Sequence, residues 1–375
     1  MLKLQARNQG NTQDSHVSGV SSLTVTGYKS IRKLINFRLR DLNVLIGANG
    51  AGKSNFIGLF RLLNEIYEQR LQLFVQTQGG PDSVLHFGRQ VTDRLHAEFY
   101  FANNGYAFDL VPTNDNRLIF EREMSIFQGV FYDSQPRAIL GTGHDESKLK
   151  DAKDKYSPYV RESVSSWRVY HFHDTSERAK VKQKHATNDN LRLKPDAANL
   201  AAYLRMLHEQ HEATYDRIVE TIRLVAPFFD NFVHRPGNPE AVELEWTQVG
   251  HDTPLKAHML SDGTLRFICL TTLLLQPVNL LPHTILIDEP ELGLHPYAIT
   301  ILAEMFRQVS EERQLIVSSQ SVELINELKA EDVVVVDQED TASTFRRYTE
   351  AELAEWLKEY GMGELWKRNV LGGRP

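Results

Sequence analysis

Cysteine is almost absent from this chain. The single thiol, Cys269, stands among 375 residues, so no disulfide can close within it. It lies in the apolar run 267–281 and reads as a core residue rather than a nucleophile. Long apolar runs are missing as well. The run 267–281, the most apolar stretch present, is broken by Thr, Gln, Pro and Asn and is too short to span a bilayer. The first residues are polar and lack the apolar centre of a secretory signal, which points to the cytoplasm and to no membrane partner. Positive charge is not in excess: 42 Lys and Arg face 49 Asp and Glu, and a formal net charge of -7 makes no global field for nucleic acid. No repeat and no sustained heptad occurs, which excludes a solenoid and a long coiled-coil arm. What remains, 41% hydrophobic and 24% charged, is the composition of a folded protein of one large or two ordinary domains.

Against these absences stands one dense motif. Gly47-Ala48-Asn49-Gly50-Ala51-Gly52-Lys53-Ser54 reads G-x-x-x-x-G-K-S, a phosphate-binding loop. Residues 42–46 (LNVLI) before it have the apolar run of a buried strand, and residues 55–74 after it carry an apolar stripe at helical spacing. Strand, glycine loop and helix is the order that phosphate binding needs. Glycines let backbone N–H groups turn inward, and the helix N-terminus adds partial positive charge. Lys53 would then reach the β- and γ-phosphates of ATP, Ser54 would ligate Mg²⁺, and Asn49, Gly50, Ala51, Gly52 and Asn55 would surround the phosphates.

A second half to such a site follows later. Residues 284–287 are an apolar strand that runs into Asp288 and Glu289. An acidic strand end can hold Mg²⁺, here through Asp288, and Glu289 is placed to polarise an attacking water as general base. Just before it, Leu260-Ser261-Asp262-Gly263-Thr264 opens a helix with Ser261 as N-cap, another helix start suited to an anion. After it come a turn, Glu291 to Pro296, and a strand that ends at Gln320. Elsewhere the pattern predicts strands at 22–26, 35–39, 95–101, 106–111, 117–121, 242–246 and 333–336. It predicts helices at 199–225, 264–275, 298–309 and 322–328, with 134–160 a surface loop or short helices. The alternation in the C-terminal half argues for a mainly parallel α/β sheet.

Together, GYKSI, GANGAGKSN, WRVYHFHDTS, NLAAYL, LSDGTLRF, LIDEPELGLHP and MGELWKRNVLGG resemble the ABC-type ATPase heads of the SMC and RecF group. They are most similar to the stand-alone, RecF-like AAA-family ATPases of bacteria, many of which occur in anti-phage defence loci. The resemblance covers most of the chain. It implies an α/β fold, an ABC-type P-loop ATPase head. The core would comprise 21–130 and 245–340, split by an inserted α+β region at 131–244. A polar tail, 1–20, would precede it and a helical appendix, 341–375, would follow. The resemblance implies an ATP-gated homodimer or higher oligomer, in which Ser261 and Gly263 of one head contact the γ-phosphate held by the other. It also implies a separate effector protein. His295 falls in the turn that crosses the dimer interface of such heads, and Tyr28 and Lys29 fall near the adenine and ribose edge. Gln90 is a candidate for the glutamine that links Mg²⁺ to the signature.

Two residues depart from the pattern. Asp262 stands where transporter-type signatures have Gly, and its side chain is expected to point away from phosphate. Gln320 stands at a strand end that often carries His, and an amide cannot carry a proton at neutral pH, so slow turnover is expected. An ATP-gated scaffold with little hydrolysis and a RecF-like ATPase that handles DNA are the alternatives. His171, His173 and Asp174 suggest a metal site, but no third distant ligand is identifiable and a structural strand before a helix at Thr175 is the favoured reading. Arg178, Lys180, Lys182, Lys184, Arg192 and Lys194 form the densest basic cluster, fit for nucleic-acid phosphates, a partner protein or plain solvent. No nuclease constellation is visible.

Overall fold

The computed structural model of the protein describes residues 19–128, 136–237 and 239–374. Its centre is a six-stranded sheet in the spatial order Ala342–Arg347, Val333–Glu339, Leu42–Ile46, Gln314–Ser318, Thr284–Asp288, Arg168–Tyr170. The first strand is antiparallel to its neighbour, and all the other pairs are parallel. Parallel strands need crossovers, and crossovers cover both faces of a sheet. Alternate residues accordingly enter different cores: Val44, Ile285 and Val317 face one side, Leu45, Leu286 and Ile316 the other. This double burial is why LNVLI, TILI and QLIV read as apolar runs rather than as alternations.

On one face lies the helix Lys53–Tyr67. Behind it stands a second, antiparallel sheet in the order Ile31–Arg38, Ser22–Tyr28, Leu95–Phe101, Asn104–Pro112, Leu118–Phe127, Arg137–Gly141. On the other face lie the helices Asp262–Leu275 and Pro296–Ser310. Beyond them are the helices Leu200–Gln210 and Glu212–Val225 and a three-stranded sheet, Phe229–Phe232, Glu245–Gln248 and His251–Lys256. Cys269 is buried in this core, and burial pushes its thiol up to about 12. No helix among the described residues is long and apolar enough to cross a membrane.

Several boundaries differ from the sequence expectation. The helix expected over 55–74 ends at Tyr67, turns at Gln69 (φ +56°) and restarts as Leu71–Thr77. The restart is capped from afar, because the Glu146 carboxylate accepts from Leu71 N (2.8 Å) and Gln72 N (3.0 Å). The helix expected over 199–225 breaks at His211. Within 134–160, expected as loop or short helices, Arg137–Gly141 is an edge strand of the antiparallel sheet. Arg168–Tyr170, inside the segment expected to be an insert, is the edge strand of the central sheet. The segment 341–375, expected to be helical, begins with the strand Ala342–Arg347, and only then come the helices Glu350–Leu357 and Met362–Lys367. Its end returns to the sheet, where Gly373 N donates to Asp337 Oδ2 at 2.9 Å.

One packing contact governs the region around LSDGT. A Cβ on Gly263 would overlap the carbonyl oxygen of Gly293, so the signature helix can start there only with glycine. Arg266, one helical turn on and buried, donates Nε to Phe172 O (3.0 Å), Nη2 to His173 O (3.2 Å) and Nη1 to Leu292 O. One guanidinium thereby ties the signature helix, the loop after the edge strand and the turn after Glu289. Gly263→Ala is expected to cost about 1–3 kcal/mol of stability, read as a lower urea midpoint in nucleotide-free protein. An unchanged midpoint would mean that the glycine serves only the approach of phosphate.

Candidate nucleotide site

The site is made by register. Ser318 pairs opposite Leu45 and Asp288 pairs opposite Ser318, so three parallel strands end at one edge and release their loops together. The phosphate loop leaves the first of these ends. Its last glycine, Gly52, caps the helix with φ +117°, and a side chain there would strike the Ser343 and Ser30 hydroxyls. Those hydroxyls brace the loop. Ser343 Oγ donates to Ala51 O (2.5 Å), Ser30 Oγ lies 2.7 Å from Ser343 Oγ, and Asn55 Nδ2 donates to Ser30 Oγ (2.7 Å). Neither serine was legible as a site residue. Ser343 reaches the loop only through a strand pairing close to 300 residues away in sequence.

Asn49, Gly50 and Ser54 are exposed on the loop, whereas Ala51 and Lys53 are buried. Lys53 Nζ curls back to donate to Gly47 O (2.6 Å) and Ala48 O (3.1 Å). Burial lowers its pKa, and Glu289, Asp288 and Glu291 oppose that shift by their charge. Three carboxylates therefore act by charge on one ammonium.

Asp288 accepts from Ser318 Oγ. Glu289 follows in a left-handed backbone (φ +43°), a strained conformation for a residue with a side chain and one found disproportionately at functional sites. That turn sends its carboxylate to Gln320, whose Nε2 donates to Glu289 Oε1. Glu291, which sequence reasoning passed over, is only 9% exposed. Its Oε1 accepts from Ser319 Oγ (2.7 Å) and Gln320 N (2.8 Å), while its Oε2 is buried without a hydrogen-bond partner. Burial raises its pKa.

The donor set fits magnesium rather than a softer metal. A Ser54 hydroxyl and an Asp288 carboxylate are hard oxygen ligands, and Mg²⁺ ordinarily takes one or two carboxylates with phosphates and water. No group of three or more His, Cys, Asp or Glu that could hold a metal occurs among the described residues. His171, His173 and Asp174 are accounted for otherwise. The strand ends at Tyr170, the His173 carbonyl accepts from Arg266, and Asp174 Oδ1 holds Ser176 N (3.1 Å) and Ser176 Oγ (2.7 Å). A turn, not the expected helix, follows at Thr175.

Ser261, Gly263 and His295 form a second group around the turn at Gly293. Ser261 caps its helix, accepting from Thr264 N (3.2 Å), and His295 caps the next one, accepting from Tyr297 N (3.3 Å). The Asp262 carboxylate points to Lys182, 3.8 Å away.

Two expectations fail on geometry. Tyr28 is fully buried with its hydroxyl unpartnered, packed over Gly58 of the phosphate-loop helix, so it is core and not the edge of a nucleotide pocket. Lys29 beside it donates to Gln78 Oε1 (2.8 Å), and it is Ser30 that reaches the loop. Gln90 is exposed on a loop whose His86 bonds to Gly27 O (3.0 Å) and Lys29 O (2.6 Å), not to the acidic strand. The basic cluster is largely compensated. Lys180 pairs with Asp196, Lys184 with Glu243 and Lys194 with Asp189, and Lys182 is buried, donating to Thr175 O (2.6 Å).

Among solved structures, the fold is similar to the Smc head bound to the C-winged helix domain of ScpA. The two share 14% identity and a TM-score of 0.61, with 90% of this chain and 99% of that chain covered. It is also similar to the Smc head with an extended coiled coil bound to the C-terminal domain of ScpA, from Pyrococcus furiosus. There the identity is 14% and the TM-score 0.59, with 91% and 99% covered. At that identity the likeness establishes the fold alone, that of an Smc head domain. No curated protein matches the chain significantly. A family model matches residues 42–326, about three quarters of the chain, and spans both the phosphate loop and the acidic strand. The chain belongs to that family, described as "AAA domain, putative AbiEii toxin, Type IV TA system".

Proposed function

We propose that this chain binds ATP with Mg²⁺ and hydrolyses it slowly, as an ATP-gated homodimer that controls a separate effector protein in bacterial defence against phage. The support is the convergence of Lys53, Asp288, Glu289 and Gln320 beside the phosphate loop. Lys53 exchanges the Gly47 and Ala48 carbonyls for the β- and γ-phosphates, and the N–H groups of Gly50 to Asn55 surround them. Mg²⁺ held by Ser54 and Asp288 would neutralise phosphate charge. Glu289 takes the proton of the attacking water. Gln320 orients that carboxylate by donating to it, and its amide can carry no proton at neutral pH. A strand-end amide that cannot take a proton is consistent with slow turnover.

The second group supports the dimer. Ser261 caps an exposed helix start, and Asp262 turns to Lys182, which leaves backbone N–H groups to face a phosphate on a second head. Leu292 and Tyr297 on the adjoining turn and helix are 49% and 52% exposed and would be covered by closure. The family description names a toxin of a two-part system, and the similar Smc heads are seen with ScpA domains. Both fit a head that works on a separate protein. The paired lysines of the basic cluster weaken the nucleic-acid alternative. Gln320 favours one second reading, a scaffold that holds ATP and barely hydrolyses it.

Glu289→Gln is expected to cut steady-state phosphate release about 10²–10⁴-fold and to accumulate a larger particle with ATP and Mg²⁺ than without. A wild-type rate above about 100 per second contradicts slow turnover. Neither hydrolysis nor a mass change in either protein leaves the scaffold alone standing. Ser261→Arg is expected to keep ATP binding by the single head while abolishing both the ATP-dependent mass increase and hydrolysis. Turnover that survives Ser261→Arg means each head works alone.

A further inference from the structure

We propose that Glu291 is a positioning residue for hydrolysis, fixing through its carboxyl the Ser319–Gln320 backbone from which Gln320 reaches Glu289. The inference rests on the ATPase reading of the site. It deepens that reading by naming a residue that neither the phosphate loop nor the acidic strand end contains.

The geometry is specific. Gln320 leaves the strand Gln314–Ser318 just past its end, where ladder hydrogen bonds stop. Ser319 N still donates to Leu45 O (2.9 Å), but Gln320 N has passed the sheet and finds Glu291 Oε1 instead (2.8 Å). The same oxygen accepts from Ser319 Oγ (2.7 Å), and Ser319 Oγ in turn accepts from Ser321 N (3.0 Å). One carboxylate oxygen thus organises three consecutive residues. At the other end Glu291 is tied to the turn it shares with Glu289, since Leu292 N donates to Glu289 O (3.3 Å) and Leu294 N to Glu291 O (3.0 Å). The two strand ends that carry the base and its orienting amide are therefore locked to each other by a side chain that touches neither reacting group.

A buried acid is a costly way to hold a loop. A carboxyl with one oxygen unpartnered loses its hydration, and a neutral amide or hydroxyl would serve with less penalty if only packing were at stake. An ionisable acceptor of two hydrogen bonds holds its donors more firmly than a neutral one. Firm holding matters where a small error in the aim of a base costs rate. The role belongs with outer-shell partners, which orient the groups that do the chemistry.

The test is a double-mutant cycle between Glu291→Ala and Gln320→Ala, reading kcat and KM for Mg·ATP and, separately, binding of a fluorescent ATP analogue. Loss of kcat of roughly 10–100-fold is expected for Glu291→Ala, with analogue affinity and KM little changed. Glu291→Gln keeps an oxygen acceptor for Ser319 and Gln320, though a neutral one, and should recover part of the loss. On the Gln320→Ala background, Glu291→Ala should add almost nothing, because its effect runs through Gln320. Additive losses, an effect confined to KM, or failure of Glu291→Gln to recover any rate each overturn the inference while leaving the ATPase reading intact. A wild-type protein without turnover overturns both. A Glu291→Ala protein that binds the analogue with wild-type affinity is folded, so misfolding is separable from misaiming.

Discussion

Everything at the candidate site depends on parallel pairing between Leu42–Ile46, Gln314–Ser318 and Thr284–Asp288. A parallel ladder puts the carboxyl ends of its strands at one edge, where crevices for ligands form in α/β sheets. Here the shared edge gathers a loop that binds phosphate, an acid pair and a polar strand end from sequence positions more than 230 residues apart. The pairing is kept by burial on both faces rather than by any single contact. A slip of one residue would send Leu45, Leu286 and Ile316 into the wrong core. The same slip would move Asp288 away from Ser318 and Gln320 away from Glu289. Folding stability and site geometry are one constraint.

The turn after Glu289 extends that constraint outward. It begins with a left-handed glutamate, passes Glu291, which holds the neighbouring strand end, and meets the signature helix at the Gly293–Gly263 approach. Arg266 then binds the carbonyl of Leu292 and the carbonyls of Phe172 and His173. A shift of the turn after Glu289 must therefore move the start of the helix Asp262–Leu275, or break a buried guanidinium from its acceptors. Loss of partners for a buried charge is expensive, so concerted movement is the cheaper outcome. This gives a physical route by which events at Glu289 are felt at Ser261, with no need for a long chain of contacts.

The sequence announced the parts of the site that are local. The phosphate loop, the acidic strand end and the Ser261 cap each depend on a few consecutive residues, and each stands where the pattern placed it. What stayed hidden is what depends on distant pairing. Ser343 looked like part of a helical tail, because nothing in its neighbourhood reveals that Ala342–Arg347 joins the central sheet beside Val333–Glu339. Glu291 looked like one more acid in a turn, since its burial follows from the Ser319–Gln320 backbone beside it. A strand was expected around Tyr170, but its place in the central sheet was concealed because its partner Thr284–Asp288 is distant in sequence. The helix break at Gln69 was concealed by its remote cap, Glu146. Tyr28 misled in the other direction. The resemblance placed it near the adenine and ribose edge, and only the fold shows that the helix behind it presents Gly58.

The charge balance of the site favours an added cation. Asp288, Glu289 and Glu291 lie within electrostatic reach of Lys53. A triphosphate entering such a site meets one full positive charge, the partial charge of the helix beginning at Lys53, and an acidic wall. The loop N–H groups hold phosphate oxygens but cannot cancel carboxylate repulsion. The exposed Ser54 hydroxyl and Asp288 offer hard oxygen ligands beside the phosphates, so a divalent cation there would convert that repulsion into attraction. By this balance, binding of a triphosphate and of a divalent cation at this edge would favour each other.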